Sequence, residues 1–496
     1  MERIFIANRG EIAVRIIRAC REMGLTAVVG YSDPDRTSLA VRLADEAYRI
    51  GPASSAESYL NIPRLIEVML QTRCDAVHPG YGFLAERSEF AAACEKAGII
   101  FIGPRSETIE ALGDKILARR AVQAAGTPVV PGTMDPVTDL EQAHSFAKET
   151  GFPVMIKAVA GGGGKGMRLV QNKHELEQGF RLAQSEAKSA FGDPSVYLER
   201  KIENPHHVEI QILADQHGNV IHLGERECSI QRRHQKVIEE SPSPFISDET
   251  RKKMTAVAVR AAREIGYTNA GTMEFLVDAD QNFYFLEMNT RLQVEHPVTE
   301  CVTGIDLVKE QIRIASGEKL SCAQQDIVFR GAALECRIYA ENPEHNFMPS
   351  PGRILGLRVP GGPGIRDDSG IYEGFEVSIH YDPLLSKLVA WGANRQEAIN
   401  RMRRALEEYQ VLGIKTTISF YERVMQNPTF LAGNVTTSFI DEIFSRQDET
   451  REYPLQHVAL IAAAIAQFES STTVQVSTPQ VRNAWKLVAR KEGLRS

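Results

Sequence analysis

Gly161-Gly162-Gly163-Gly164-Lys165-Gly166 follows one strand-like run, Val154–Val159, and leads into another, Met167–Val170. Glycines in succession do not build the interior of a helix or a packed strand, because each loses much conformational freedom on ordering. They allow close backbone approach to a guest, with N–H groups left to donate, and a polyphosphate is the usual guest. The segment is not a P-loop: Lys165 is followed by Gly166 rather than Ser or Thr, and no helix signal starts there. It reads as a flap between two strands, and the plainer alternative is a surface hairpin. Lys157, inside the apolar run PVMIKAV, favours the phosphate. A lysine there needs phosphate oxygens or a nearby acid, or else its head snorkels to water.

With 496 residues the chain exceeds one core, since domains run to ~100–200 residues. Residues 1–113 alternate strand signals (Arg3–Ala7, Ala27–Tyr31, Asp75–His78, Ile99–Ile102) with helical ones (Ile62–Leu70, Glu89–Lys96), which predicts a doubly wound α/β domain. Only Gly10 lies in the first turn, so a nicotinamide-type dinucleotide site is not expected. Residues 114–326 mix strands and helices around the flap, with a mobile lid at about 131–203. Residues 327–445 form a mixed C-terminal domain. The tail, 446–496, combines an apolar helix at His457–Phe468, a Ser/Thr linker and a basic end with Trp485. The class is α/β, with α+β character in the centre.

Net charge is −7, which argues against nucleic acid as a partner. Seven cysteines, an odd number without a CxxC pair, suit reduced thiols in a cytoplasmic protein rather than disulfides or zinc. Val458–Ala466 is the longest apolar run, far short of the ~20 residues that span a bilayer. No secretory leader is evident, and no membrane association is expected.

Thr272–Asp278 alternates polar with apolar residues, Phe283–Asn289 does so less cleanly, and Ala279–Asn282 can close a hairpin between them. Pairing Asp278 with Phe283 places Glu274 opposite Glu287, with Asn289 on the same face. Like charges directly opposed on a sheet repel, and a divalent cation reverses that. Two carboxylates and an amide oxygen suit Mg²⁺ bridging to nucleotide phosphates. A one-residue change of register would separate the acids, and solvated surface acids are the alternative.

Asn289–Pro297 gathers ligand-capable groups into one irregular segment. Arg291 offers a planar fork for a small oxyanion, and Glu295 beside it is a candidate general base. Pro297 biases His296 toward an extended conformation. Glu227–Lys236, with Gln231, His234 and Lys236, could meet phosphate or be a solvated basic strand.

Taken in order, these segments resemble the biotin carboxylase family, within the ATP-grasp fold. The motifs are ANRGEIAVRIIRA, HPGYGFLAE, KAVAGGGGKGM, ECSIQRRHQKVIEE, FLEMNTRLQVEHPVTE, ALECRIYAE and YDPLLSKL, covering residues 1–444. The resemblance implies ATP contacts at Lys115, Lys157, Gly161–Gly166 with Lys165, His207, Gln231, His234 and Lys236. It implies an adenine-side edge at Glu199, Lys201 and Ile202, a further nucleotide contact at Leu276, and a Mg²⁺ (or Mn²⁺) shell of Glu274, Glu287 and Asn289. Arg291, Gln293, Val294 and Glu295 would bind bicarbonate, with Glu295 as base. Arg337 would stabilise the biotin enolate. A homodimer is implied.

The implied reaction is ATP-dependent carboxylation of biotin through carboxyphosphate. No Met-Lys-Met biotin-acceptor segment occurs, so the biotin carrier and carboxyltransferase are expected on separate chains, with the tail a docking element. Another ATP-grasp ligase, joining a carboxylate to an amine, and a nucleotide-sensing regulatory protein without turnover are the competing readings.

Overall fold

A computed structural model of the chain describes residues 1–159, 167–445 and 462–465. It divides into two compact units, Met1–Asp441 and Glu442–Ser496. In the second, described residues are limited to the end of the helix Phe439–Ser445 and a helical turn at 462–465. The flap Gly161–Gly166 and the tail with Trp485 lie outside the described residues.

The N-terminal α/β reading holds. Five parallel strands run in the order Glu46–Gly51, Thr26–Ser32, Arg3–Ile6, Ala76–His78, Ile100–Phe101. The apolar runs Ile4–Ile6 and Ala27–Val29 are buried in this sheet, which packs against the helix Gly10–Glu22. The edge strand Glu46–Gly51 was not expected. Its solvent side shows Tyr48 and Arg49, so its hydrophobic alternation is weak.

An eight-stranded sheet follows, ordered Phe283–Asn289, Asn269–Val277, His206–Ala214, Val220–Arg232, Gln235–Ser241, Ala332–Tyr339, Leu384–Gly392, Ile365–Ser369. Strands from both sides of residue 327 therefore share one sheet. Period-two alternation gives it two unlike faces. Val208, Ile210, Ile212, Met273, Phe275 and Val277 pack on the helix Asp248–Ile265. That helix starts on the Ser247 side chain, which accepts from Thr250 N, and stops at left-handed Gly266, as expected of such caps. The opposite face carries the alternating polar residues.

A small sheet, Met167–Val170, Val154–Ala158, Val196–Arg200, has its own core with the helices Leu140–Thr150 and Lys173–Phe191. It brackets the Gly-rich segment. Glu227–Lys236 is not a solvated strand. It is the buried end of one strand, a turn with Arg233 and His234 at positive φ, and the start of the next.

Candidate active site

The hairpin register decides the site. Glu274 does pair with Glu287, and Thr272 with Asn289. Near the turn, however, Val277 rather than Asp278 faces Phe283, and an irregularity between Glu274 and Phe275 absorbs the difference. Asp278 turns its carboxylate back to accept from the N–H groups of Asp280 and Asn282, so it closes the loop instead of extending the ladder.

Across the next strand pair Glu274 faces Glu209, and Glu209 faces toward Arg226. Three carboxylates thus stand abreast on one sheet face. Arg226, fully buried, lies 2.5 Å from Glu209. The Lys236 ammonium lies 2.5 Å from Glu209, 2.7 Å from Glu274 and 2.8 Å from Glu295. Burial would strip the charge from Lys236, but these carboxylates outweigh it and hold the amine well above its ordinary range. His207 Nε2 lies 2.9 Å from Glu274, and the Gln231 amide lies 2.8 Å from His207 Nδ1. Burial pushes the Glu274 carboxyl up, yet Lys236 and His207 hold it low. Leu276 is cross-strand from His207, and His234 is exposed in its turn.

The donor set suits a divalent cation. Oxygen and nitrogen atoms of His207, Glu209 and Glu274 lie within 4.8 Å of one another. Glu287 makes no ion pair among the described residues, and its carboxyl is raised by burial and by Glu274. An uncompensated acid facing another acid is what Mg²⁺ or Mn²⁺ stabilises. Asn289 donates to Glu274 at 2.8 Å, leaving its carbonyl oxygen as the ligand type. Glu209 belongs in this group and was missed. The alternation His207-Val208-Glu209-Ile210-Gln211 was its signal.

At the lid, Lys157 lies 2.5 Å from Glu199, which also pairs with Arg119. Burial lowers the Lys115 pKa, and Glu287 opposes that. The two lysines and Glu287 therefore share one neighbourhood. Lys201 and Ile202 follow Glu199, half-buried.

The loop after the hairpin is tethered from two sides. Arg291 Nε donates to Glu86 at 2.8 Å, and its other nitrogens donate to Gln293 at 2.9 Å and Asn289 at 3.2 Å. Fully buried Lys387 donates to the Val294 carbonyl at 2.9 Å. Glu86 and Lys387 lie about 205 and 93 positions from their partners, too far for local spacing to reveal. Gln293 donates to Glu274 at 3.1 Å. Glu295, 0 % exposed, accepts from Lys236 and, at 2.9 Å, from Arg337. Burial would raise its carboxyl; Lys236 and Arg337 overcome this and hold it well below the ordinary range. The expectation for His296 fails: it begins the helix His296–Thr303, with Pro297 in the first turn. Proline is tolerated there because the first-turn N–H groups lack helical partners anyway.

A carboxylate row fit for a divalent cation, two lysines beside it and a buried glutamate between two cations mark an ATP-dependent ligase of the ATP-grasp class. Family models match in sequence order: the biotin carboxylase N-terminal domain over residues 1–109, the carbamoyl-phosphate synthase L chain ATP-binding domain over 114–323, and the biotin carboxylase C-terminal domain over 335–442. The chain belongs to the biotin carboxylase family. It is 56% identical over 440 residues to a pyruvate carboxylase subunit of Methanothermobacter thermautotrophicus, covering 89% of each. It is 55% identical over 442 residues to biotin carboxylase of Nostoc sp., covering 89% of this chain and 99% of that one. The biotin carboxylase domain dimer of Hydrogenobacter thermophilus 2-oxoglutarate carboxylase, solved with MgADP, ADP and bicarbonate, superposes with TM-score 0.86 at 49% identity. It covers 89% of this chain and 97% of that one.

Proposed function

We infer that this chain carboxylates biotin with bicarbonate at the expense of ATP, through carboxyphosphate. The observation that supports this most directly is Glu295, ionised and 2.8–2.9 Å from both Lys236 and Arg337. A carboxylate held so low is present as base at neutral pH, but its strength is masked by the two cations. Substrate oxyanions compete for Lys236 and Arg337 and unmask it.

Glu295 takes the bicarbonate proton, and the oxyanion, oriented by Arg291, attacks the γ-phosphate of ATP; the β–γ phosphoanhydride bond breaks, ADP leaves and carboxyphosphate forms. Lys115, Lys157, His207 and Lys236 neutralise the transferring group, where most catalysis of phosphoryl transfer arises. Glu274, Glu287 and Asn289, with Glu209 beside them, would hold a divalent cation, which would add charge neutralisation at the phosphates. Carboxyphosphate releases CO₂ and phosphate. The phosphate accepts the ureido N–H proton of biotin, Arg337 stabilises the resulting enolate, and the biotin nitrogen attacks CO₂. Glu199, Lys201 and Ile202 form the adenine side, Leu276 adds a nucleotide contact, and Gln231 and His234 approach the nucleotide from the neighbouring hairpin.

The protein works as a homodimer in the cytoplasm, beside a biotin carrier and a carboxyltransferase on other chains. The naming of the Methanothermobacter relative as one subunit of its carboxylase and the dimer of the Hydrogenobacter domain support that assembly. Among the described residues no helix is long and apolar enough to cross a membrane.

The test is ADP release by the purified chain with MgATP. Release requiring bicarbonate and stimulated by free biotin is expected. Release driven by an amine, indifferent to biotin, would overturn the reading.

A further inference from the structure

Arg337 does not rest on Glu295 alone. Its Nη2 also lies 2.5 Å from Glu239 Oε1, on the strand Gln235–Ser241 beside its own strand Ala332–Tyr339. Glu239 faces Glu335 directly across those strands. Glu335 stands two residues before Arg337, and so on the same face. Both acids are 0 % exposed, and none of their four carboxylate oxygens has a hydrogen-bond partner; Arg337 meets Glu239 as an ion pair. Lys387 is the cross-strand neighbour of Arg337 on the other side. Two buried carboxyls so placed do not both ionise readily. Burial raises Glu335 well above the ordinary range and Glu239 less, because Arg337 opposes it there. The pair's negative charge is therefore kept on the side of the arginine.

This arrangement matters when Glu295 accepts a proton. Arg337 then loses one of its two anionic partners while biotin is still to be deprotonated.

We propose that Glu239 is a positioning residue for Arg337, the anchor that keeps the guanidinium in place once Glu295 is neutralised. The inference rests on the reading of Arg337 as the group that meets the biotin enolate. Glu239 itself touches neither biotin nor phosphate; it acts through the arginine.

Steady-state kinetics with free biotin on the full chain separates the possibilities. Glu239→Ala is expected to raise KM for biotin about tenfold or more, the loss of one buried ion-pair partner of Arg337, and to move KM for ATP much less. Glu239→Gln, which keeps the side chain's size and sets an amide oxygen beside the guanidinium, is expected to restore most of the biotin KM. Arg337→Lys is the reference variant. Biotin KM unchanged in Glu239→Ala but raised in Arg337→Lys overturns the anchor alone. Biotin KM unchanged in both overturns the reading of Arg337 and the anchor with it. Equal increases in both KM values, without rescue by Gln, indicate a merely structural residue and also overturn it. Should Glu239→Ala fail to fold, Glu239→Asp, shorter by one methylene, decides by the same comparison.

Discussion

Glu274 stands directly across the hairpin from Glu287 because an irregularity after Glu274 absorbs the one-residue offset of the turn. The same pairing continues to Glu209 on the next strand, so the sheet presents a row of carboxylates rather than an isolated pair. Such a row is tolerable only with cations against it, and Lys236 and Arg226 supply part of that charge.

Removing one acid from the row should weaken the metal rather than the fold. Glu287 has no protein counter-ion within ion-pair distance among the described residues, so Glu287→Gln breaks no ion pair, although Lys115 loses an acid that supports its charge. The Mg²⁺ concentration for half-maximal ATP cleavage should rise about 10- to 100-fold. A magnesium titration at saturating ATP measures this; an unchanged midpoint removes Glu287 from the metal shell.

Glu295→Gln keeps the size of the side chain and removes the base. Biotin-dependent turnover should fall about 100- to 10,000-fold, with KM for ATP little changed. Retained turnover assigns the proton to another group.

Lys236 offsets three buried carboxylates at once. Lys236→Met should destabilise the fold by ~3–5 kcal/mol, the usual cost of stranding buried charge. Without the ammonium, the folded-state pKa values of Glu209, Glu274 and Glu295 rise above those of the unfolded chain. Protons then bind the folded form more tightly, so the loss should grow as pH rises past the ordinary carboxylate range. Urea unfolding at pH 5 and pH 8 checks both size and sign; equal losses at the two pH values contradict it.

His78, 0 % exposed at the end of the strand Ala76–His78, which pairs with the central strand of the N-terminal sheet, accepts from Gly80 N at 3.0 Å. Burial, with Arg15 nearby, lowers its pKa to about 3, against ~6.5 in an unfolded chain. The unfolded state therefore binds the extra proton between those values. The contribution of His78 is complete above pH ~6.5 and is lost as pH falls toward about 3. Between pH 7.5 and 4.5 this amounts to roughly 2–3 kcal/mol. His78→Gln should shrink the difference in unfolding free energy between those pH values by about that amount, and an unaltered difference would exclude His78 as the cause.

Much of the architecture was readable because it is local. The strands and helices of the first hundred residues and the alternation of Thr272–Asp278 are written in spacing of two or 3.6. The pairing of Glu274 with Glu287 followed from that alternation even though the turn differed. His296 was misjudged because a rule about proline ignored that the first helical turn tolerates it.

The sequence by itself determined the elements, the sheet face that would be polar, and the motif order that carries the family resemblance, since each depends on residues a few positions apart. Only the tertiary structure decided which charges meet. Sheet order, not chain order, sets Lys236 against Glu209, Glu274 and Glu295, Glu86 against Arg291, and Glu239 against Arg337. Buried charges hold one another only at contact distance, and that distance is set by strands folding side by side from segments far apart in the chain.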